Sequence, residues 1–257
     1  MDRSSKYAER QRREMLIYGI NPVIEALRAG RVTSLRVSGR GDERLREILR
    51  LASTRGIAVH RVDVATLDRA TRGGAHQGAV AELRNGPSYS VADLVREASG
   101  PPLIVVLDSI EDPHNVGAIL RTADAAGAHG VVRQSRHAAR LDGAAAKASA
   151  GAVAYVRMAE VVNIARAIEE LKELGVWSVG LAGDAGQRYD QLDLTGPTAL
   201  VLGAEGTGLR RLVRDRCDLL ASIPMSGHVA SLNVSVAAGI VLFEAIRQRG
   251  ARRPARR

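Results

Sequence analysis

Leu200-Val201-Leu202-Gly203-Ala204-Glu205-Gly206-Thr207-Gly208-Leu209 decides how the chain is read, because an apolar run turns there into a loop of three glycines and one carboxylate. An unbroken apolar run is the pattern of a strand buried on both faces, as in parallel sheets covered by helices. Glycines in such a loop permit positive φ or let backbone approach a ligand closely. The loop is not a P-loop, since no Lys-Ser/Thr pair follows Gly208, and its spacing is not that of a dinucleotide fingerprint. A plain turn has little need of three glycines and a Glu directly after a buried strand. The stretch therefore reads as a binding loop at the carboxyl end of a parallel sheet.

Two further motifs flank the same expected sheet. Leu103 to Leu107 is a second fully apolar strand, and Asp108-Ser-Ile-Glu-Asp-Pro-His-Asn115-Val-Gly follows it into a helix over Val116–Ala126. Asn115 stands at the expected helix start and Arg121 nearly two turns further on. An amide, helix-start N–H groups and a guanidinium at the mouth of a parallel sheet suit an anionic or polar ligand. Downstream, Ile223-Pro-Met225-Ser-Gly-His228 is a loop, and a small-residue helix is expected over Ser231–Gln248 with Leu232 and Asn233 in its first turn. Singly, Ser231 and Asn233 read as helix caps. His228 has no partner ligands nearby in the sequence, so no metal site is expected. Strands at 130–132, 176–181, 199–203 and 219–223 and helices at 142–150 and 161–174 complete a mainly parallel α/β domain over residues 102–250.

The first part of the chain is different in charge. Residues 1–84 carry 17 Arg/Lys and 10 Asp/Glu, a net +7, whereas residues 85–250 are net −2 and the tail 251–257 adds +4. A basic front of this kind is the electrostatic footprint of a polyanion-binding domain. Its pattern predicts a strand over 15–20, a helix capped by Asn21-Pro22 and running to Gly30, and a strand over 35–37. A helix over 43–55, a strand over 57–62, a short helix capped by Asp63 and a strand over 78–83 follow. This makes a small α/β unit over residues 15–84, preceded by a basic lead (1–14) and followed by a linker (85–101) that opens with Asn85-Gly-Pro-Ser88.

Composition excludes other classes. In 257 residues no apolar run approaches the roughly 20 that a membrane span needs. The first 14 residues are basic with no apolar stretch behind them, so no signal peptide is expected. Cys217 is the only cysteine, which rules out an intramolecular disulfide and a Cys-rich zinc site and suits a cytoplasmic setting. Basic residues are 34 Arg and 3 Lys, and aromatic residues number seven. A protein that stacks successive bases on aromatic platforms needs more. Any nucleic acid is expected to be met through charge and shape.

Together the three motifs resemble those of the SPOUT class of S-adenosyl-L-methionine-dependent methyltransferases, in particular the SpoU or TrmH-like RNA 2′-O-methyltransferases. The residues that carry the resemblance are Asn115-Val-Gly…Arg121, Leu200–Leu209, and Ile223-Pro-Met…Ser231-Leu-Asn-Val234. Tyr18-Gly-Ile-Asn-Pro-Val-Ile-Glu-Ala-Leu27 and Gly74-Ala-His-Gln-Gly78 are similar to the ribosomal-protein-like RNA-binding domain of members that methylate a guanosine ribose in large-subunit (23S) ribosomal RNA. The resemblance implies a C-terminal trefoil knot and a homodimer. It also implies S-adenosyl-L-methionine held around Leu202, Gly203, Ile223, Met225, Ser231 and Leu232, with Asn115, Arg121, Glu205 and Asn233 as catalytic residues. RNA is the implied partner, with no metal and no membrane. Relatives acting on transfer RNA or on other ribosomal nucleotides, and a non-catalytic RNA-binding protein on the same fold, are the competing readings; a nicotinamide-dependent enzyme fails for want of its fingerprint.

Overall fold

A computed structural model describes residues 15–39, 43–84, 86–136, 138–141 and 143–251, and divides into two compact units. The expected basic lead, the tail beyond Ala251, Asn85 of the expected linker and Asp142 at an expected helix start lie outside the described residues. In chain order the elements are β1 (Met15–Tyr18), α1 (Ile20–Arg28), β2 (Val32–Val37), α2 (Glu43–Thr54), β3 (Ala58–Arg61), α3 (Val64–Thr71) and β4 (Ala79–Leu83). There follow α4 (Val91–Arg96), β5 (Leu103–Asp108), α5 (Pro113–Ala125), β6 (Gly130–Gln134), α6 (Gly143–Ala148) and β7 (Met158–Val161). The chain closes with α7 (Ile164–Glu173), β8 (Trp177–Leu181), β9 (Thr198–Gly203), α8 (Arg211–Arg216), β10 (Leu219–Ala221) and α9 (Val234–Ala251).

The first unit holds a four-stranded sheet in the order β1-β4-β2-β3, parallel only between β2 and β3. Its first helix starts earlier than the sequence suggests. Gly19, with φ at +99°, ends β1 and stands at the N-cap, so Ile20 already belongs to α1 and Asn21 caps nothing. That φ is one that only glycine adopts at no steric cost. The free Ile20 N–H is satisfied from a distance by the Gln77 side-chain oxygen at 3.2 Å. Asp63 does cap α3, accepting from the Thr66 N–H at 2.7 Å.

This unit also contains Arg140–Tyr155, which the sequence had placed within the second domain. A Cβ on Gly143 would fall 1.8 Å from a Tyr18 ring carbon, so α6 lies against β1 closely enough to require glycine there. Arg31 donates to the carbonyls of Val153 and Ala154, and the Tyr155 hydroxyl donates to the Glu25 carboxylate at 2.8 Å. The unit is thus built from two separate stretches of chain.

The second unit is a six-stranded sheet in the order β10-β8-β9-β5-β6-β7, with every pairing parallel. Ile104, Val106, Val132 and Val201 of the central strands pack with Leu94, Ile164, Ile168 and Leu171 in a dry core on one face. The chain leaves β5 toward β6 on one side while β9 lies on the other, so the strand order reverses between β5 and β9. In open parallel sheets the crevice beyond such a reversal is the ligand-binding place. The expected linker 85–101 is partly helical, because Ser90 and Asp93 form a capping box for α4. The helix after β5 begins at Pro113 with Asp112 as its cap, which places Asn115 inside the first turn and 93% buried. Strand β10 stops at Ala221, leaving Ile223 in a loop, and α9 starts at Val234 rather than Ser231. Among the described residues no helix is long and apolar enough to cross a membrane.

Candidate active site

Beyond the carboxyl ends of β8, β9 and β10 lies a cavity of about 480 Å³, within the usual range for small-ligand sites. Leu202, Gly203, Glu205, Ile223, Met225, Ser231, Leu232 and Asn233 all line it. Its walls are polar and apolar in nearly equal share, and its charged lining side chains are Glu205, Asp184 and Arg214. Asp184 and Arg214 pair at 2.9 Å, and the hydrogen bond from Arg214 holds the Asp184 carboxyl below the ordinary carboxylate range. The sequence reading missed the wall formed by Leu181–Asp184. The signal available was the small-residue run Ala182-Gly-Asp-Ala-Gly186 after a strand, which is weaker than the three-glycine loop.

Gly203 has a reason to be glycine that differs from the expected one. A Cβ there would sit 2.2 Å from the Gly208 carbonyl carbon and 2.3 Å from the Leu209 nitrogen. The loop folds back on its own root: Ala204 and Gly208 exchange backbone hydrogen bonds at 3.1 and 2.8 Å, while Gly206 and Gly208 take positive φ. The hollow at Gly203 receives the protein's own backbone, and the loop so closed forms one wall of the cavity.

Three of the four expected catalytic residues meet at the edge of this cavity. The Asn233 amide nitrogen donates to Asn115 Oδ1 at 2.9 Å and to Glu205 Oε1 at 2.7 Å, using both of its hydrogens. Its orientation is determined by Ser235, whose N–H and hydroxyl donate to Asn233 Oδ1 at 2.9 and 2.6 Å. The oxygen must face those donors, so the NH₂ group faces the carboxylate. Ser235 was not singled out from the sequence, although its position two residues after Asn233 at a helix start is an Asx-type capping signal. Residues 115 and 233 are bridged because α5 and α9 pack together, with Thr122 lying 3.6 Å from where a Cβ on Gly239 would be.

Arg121 is not part of this cluster. It is exposed on α5, six residues after Asn115, and its guanidinium has no hydrogen bond or ion pair among the described residues. His228 is exposed, and among the described residues no group of His, Cys, Asp and Glu could hold a metal. Burial pushes the Cys217 thiol up to about 12.

Known proteins place the chain among the RNA 2′-O-methyltransferases. The solved SpoU methyltransferase AviRb from Streptomyces viridochromogenes, in complex with the cofactor AdoMet, superposes with a TM-score of 0.80 and 27% identity over 97% of this chain and 95% of that one. The chain belongs to the SpoU rRNA methylase family, whose model matches residues 102–243, and residues 16–87 match the model for RNA 2′-O ribose methyltransferase substrate binding. It is 45% identical over 240 residues to the 23S rRNA (guanosine-2′-O-)-methyltransferase RlmB of Yersinia pestis, covering 91% of this chain and 98% of that protein. The protein of the same name from Pseudomonas syringae pv. tomato is 44% identical over 243 residues, or 92% and 97% of the two chains.

Proposed function

We propose that the protein transfers the methyl group of S-adenosylmethionine to the ribose 2′-hydroxyl of a guanosine in 23S ribosomal RNA, as a cytoplasmic homodimer. The observation that carries the reading is the Asn115–Asn233–Glu205 cluster at the mouth of the cavity, in a chain that spans nearly the whole length of relatives with that activity. The cofactor, when bound, supplies a methyl group already activated by the sulfonium charge, so the protein's task is alignment and charge stabilisation. Leu202, Ile223, Met225 and Leu232 offer apolar walls, and the backbone of Gly203 and Ser231 offers polar contacts beside them. The knot implied by the resemblance belongs to this reading, because it is the loops of the C-terminal third that converge on the cavity.

Asn115 and Glu205 are held by Asn233 and so are positioned to orient a ribose. Arg121 offers five N–H donors and no acceptor. Its guanidinium, unpaired among the described residues, is suited to a neighbouring phosphate and to the negative charge that develops on the 2′-oxygen, while the hydroxyl proton passes to phosphate, water or the Glu205 carboxylate. RNA affinity is assigned chiefly to the first unit, whose stretch of the chain carries the excess of arginine. Support for the dimer comes from α9, where Val236 and Phe243, seven residues apart on one face, are each 51% exposed. Purified protein incubated with unmethylated 23S RNA and labelled S-adenosylmethionine should methylate one guanosine ribose. Label in transfer RNA alone, or in no RNA, would refute the reading, and light scattering showing an active monomer would refute the dimer.

A further inference from the structure

Asp108, the last residue of β5, is fully buried, an unusual place for a carboxylate. It accepts two hydrogen bonds from Arg210, from the backbone N–H at 2.9 Å and from Nε at 2.7 Å, and Nη2 forms an ion pair with the same carboxylate at 2.6 Å. Asp108 is also the β5 partner of Gly203 in the sheet register. The same carboxylate therefore stands beside the entrance of the 204–209 loop and clamps its exit. Between these points the loop is closed by the Ala204–Gly208 pair and seated in the hollow at Gly203, while Glu205, Gly206 and Thr207 stay exposed.

A buried ion pair is a poor source of stability, because desolvation offsets much of its attraction and apolar replacement is often neutral. What it does supply is direction. Two N–H groups of a planar fork and the backbone N–H of the same residue converge on one carboxylate, which allows one course for the chain at Arg210. The pair lies at the strand reversal between β5 and β9; it does not itself line the cavity, but the flanking Gly203 and Leu209 do.

We infer that Asp108 and Arg210 are positioning residues for the cofactor: they hold the 204–209 loop as a wall of the cavity before S-adenosylmethionine arrives. This rests on the reading of the cavity as the cofactor site. The clamp itself is testable without cofactor by hydrogen exchange on the intact protein. In Arg210→Lys, which keeps the charge and loses the fork, the Gly206–Leu209 amides should exchange about tenfold faster while core amides do not change. Calorimetry should show affinity for S-adenosylhomocysteine falling about tenfold, and KM for S-adenosylmethionine rising in proportion with kcat within about twofold. Asp108→Asn, which still offers an oxygen to the Arg210 N–H, should move the same quantities in the same direction. Unchanged loop exchange in Arg210→Lys overturns the clamp. Loosened exchange with unaltered S-adenosylhomocysteine affinity and KM makes the pair structural only and overturns its cofactor role. Wild-type protein that binds no S-adenosylhomocysteine would defeat the proposed function instead, and the exchange result would still decide the clamp.

Discussion

Two glycine-containing loops, Arg72–Gly78 in the first unit and Gly203–Arg210 in the second, use the same backbone devices to opposite ends. Both contain residues at positive φ, and both need glycine where a Cβ would collide: Gly74 with the Tyr18 ring at 2.5 Å, Gly203 with its own loop at 2.2 Å. In the first loop the polar side chains of His76 and Gln77 bond back to the fold. His76 Nδ1 accepts from the Gly78 N–H, its Nε2 meets Asp68 at 3.1 Å, and Gln77 caps α1. In the second, the polar anchor sits at the loop's end and Glu205 and Thr207 remain exposed beside a cavity. A loop whose His76 and Gln77 side chains are committed to the fold is a joint; one anchored at its ends with its middle exposed can serve a ligand.

That contrast can be broken most sharply on the site side. Arg121→Ala should lower single-turnover methyl transfer by orders of magnitude, with S-adenosylhomocysteine affinity held within a few-fold, because Arg121 has no part in the cavity wall. Near wild-type turnover would show that the free guanidinium is only a surface charge. Next in size, Gly203→Val should abolish measurable cofactor binding by calorimetry, since a branched side chain cannot share space with Gly208 and Leu209. Retained binding would mean that the loop can move off its seat.

The joint side should respond in stability and not in cofactor affinity. His76→Ala leaves the Gly78 N–H without its partner and should cost about 1–3 kcal/mol in denaturant unfolding, with S-adenosylhomocysteine affinity unchanged. A loss of cofactor affinity there would erase the distinction between the two loops. The smallest effect concerns the cap of α4, where hydrogen bonds from Ser90, then Arg96, hold the Asp93 carboxyl down at about 2 against an ordinary 3.8. A carboxyl whose pKa is depressed on folding stabilises the protein above the unfolded value and loses that contribution as pH falls through the folded one. The stability difference between wild type and Asp93→Asn should therefore be constant above about pH 5 and vanish between about 4 and 2.

The elements that could be read from the chain were those whose local pattern matches their environment. Residues 103–107 and 199–202 are apolar throughout because both of their faces are covered, and Asp63 and Gly127 mark helix ends by their own chemistry. Strand β7 escaped because only Ala159 of its four residues is buried, and α8 because only Val213 is. Arg140–Tyr155 could not be assigned by pattern. Alanine and glycine contribute little periodic signal, so nothing local shows that Gly143 must lie against Tyr18.

For the site, the residue types and their placement at strand ends were present in the sequence, as was the family to which three short motifs belong. The charge asymmetry that marks an RNA-binding front was also a property of the linear chain. What only the tertiary structure decided was partnership. Asn115 and Asn233, 118 residues apart, share a hydrogen bond because α5 and α9 pack at the end of one sheet, whereas Arg121 on the same helix points elsewhere. Asp108 and Arg210, 102 residues apart, meet because β5 and β9 are neighbours. Spacing along a chain records what each residue can do, while hydrogen bonds of about 3 Å depend on which strands and helices lie side by side, and that is settled by burial of the core as a whole.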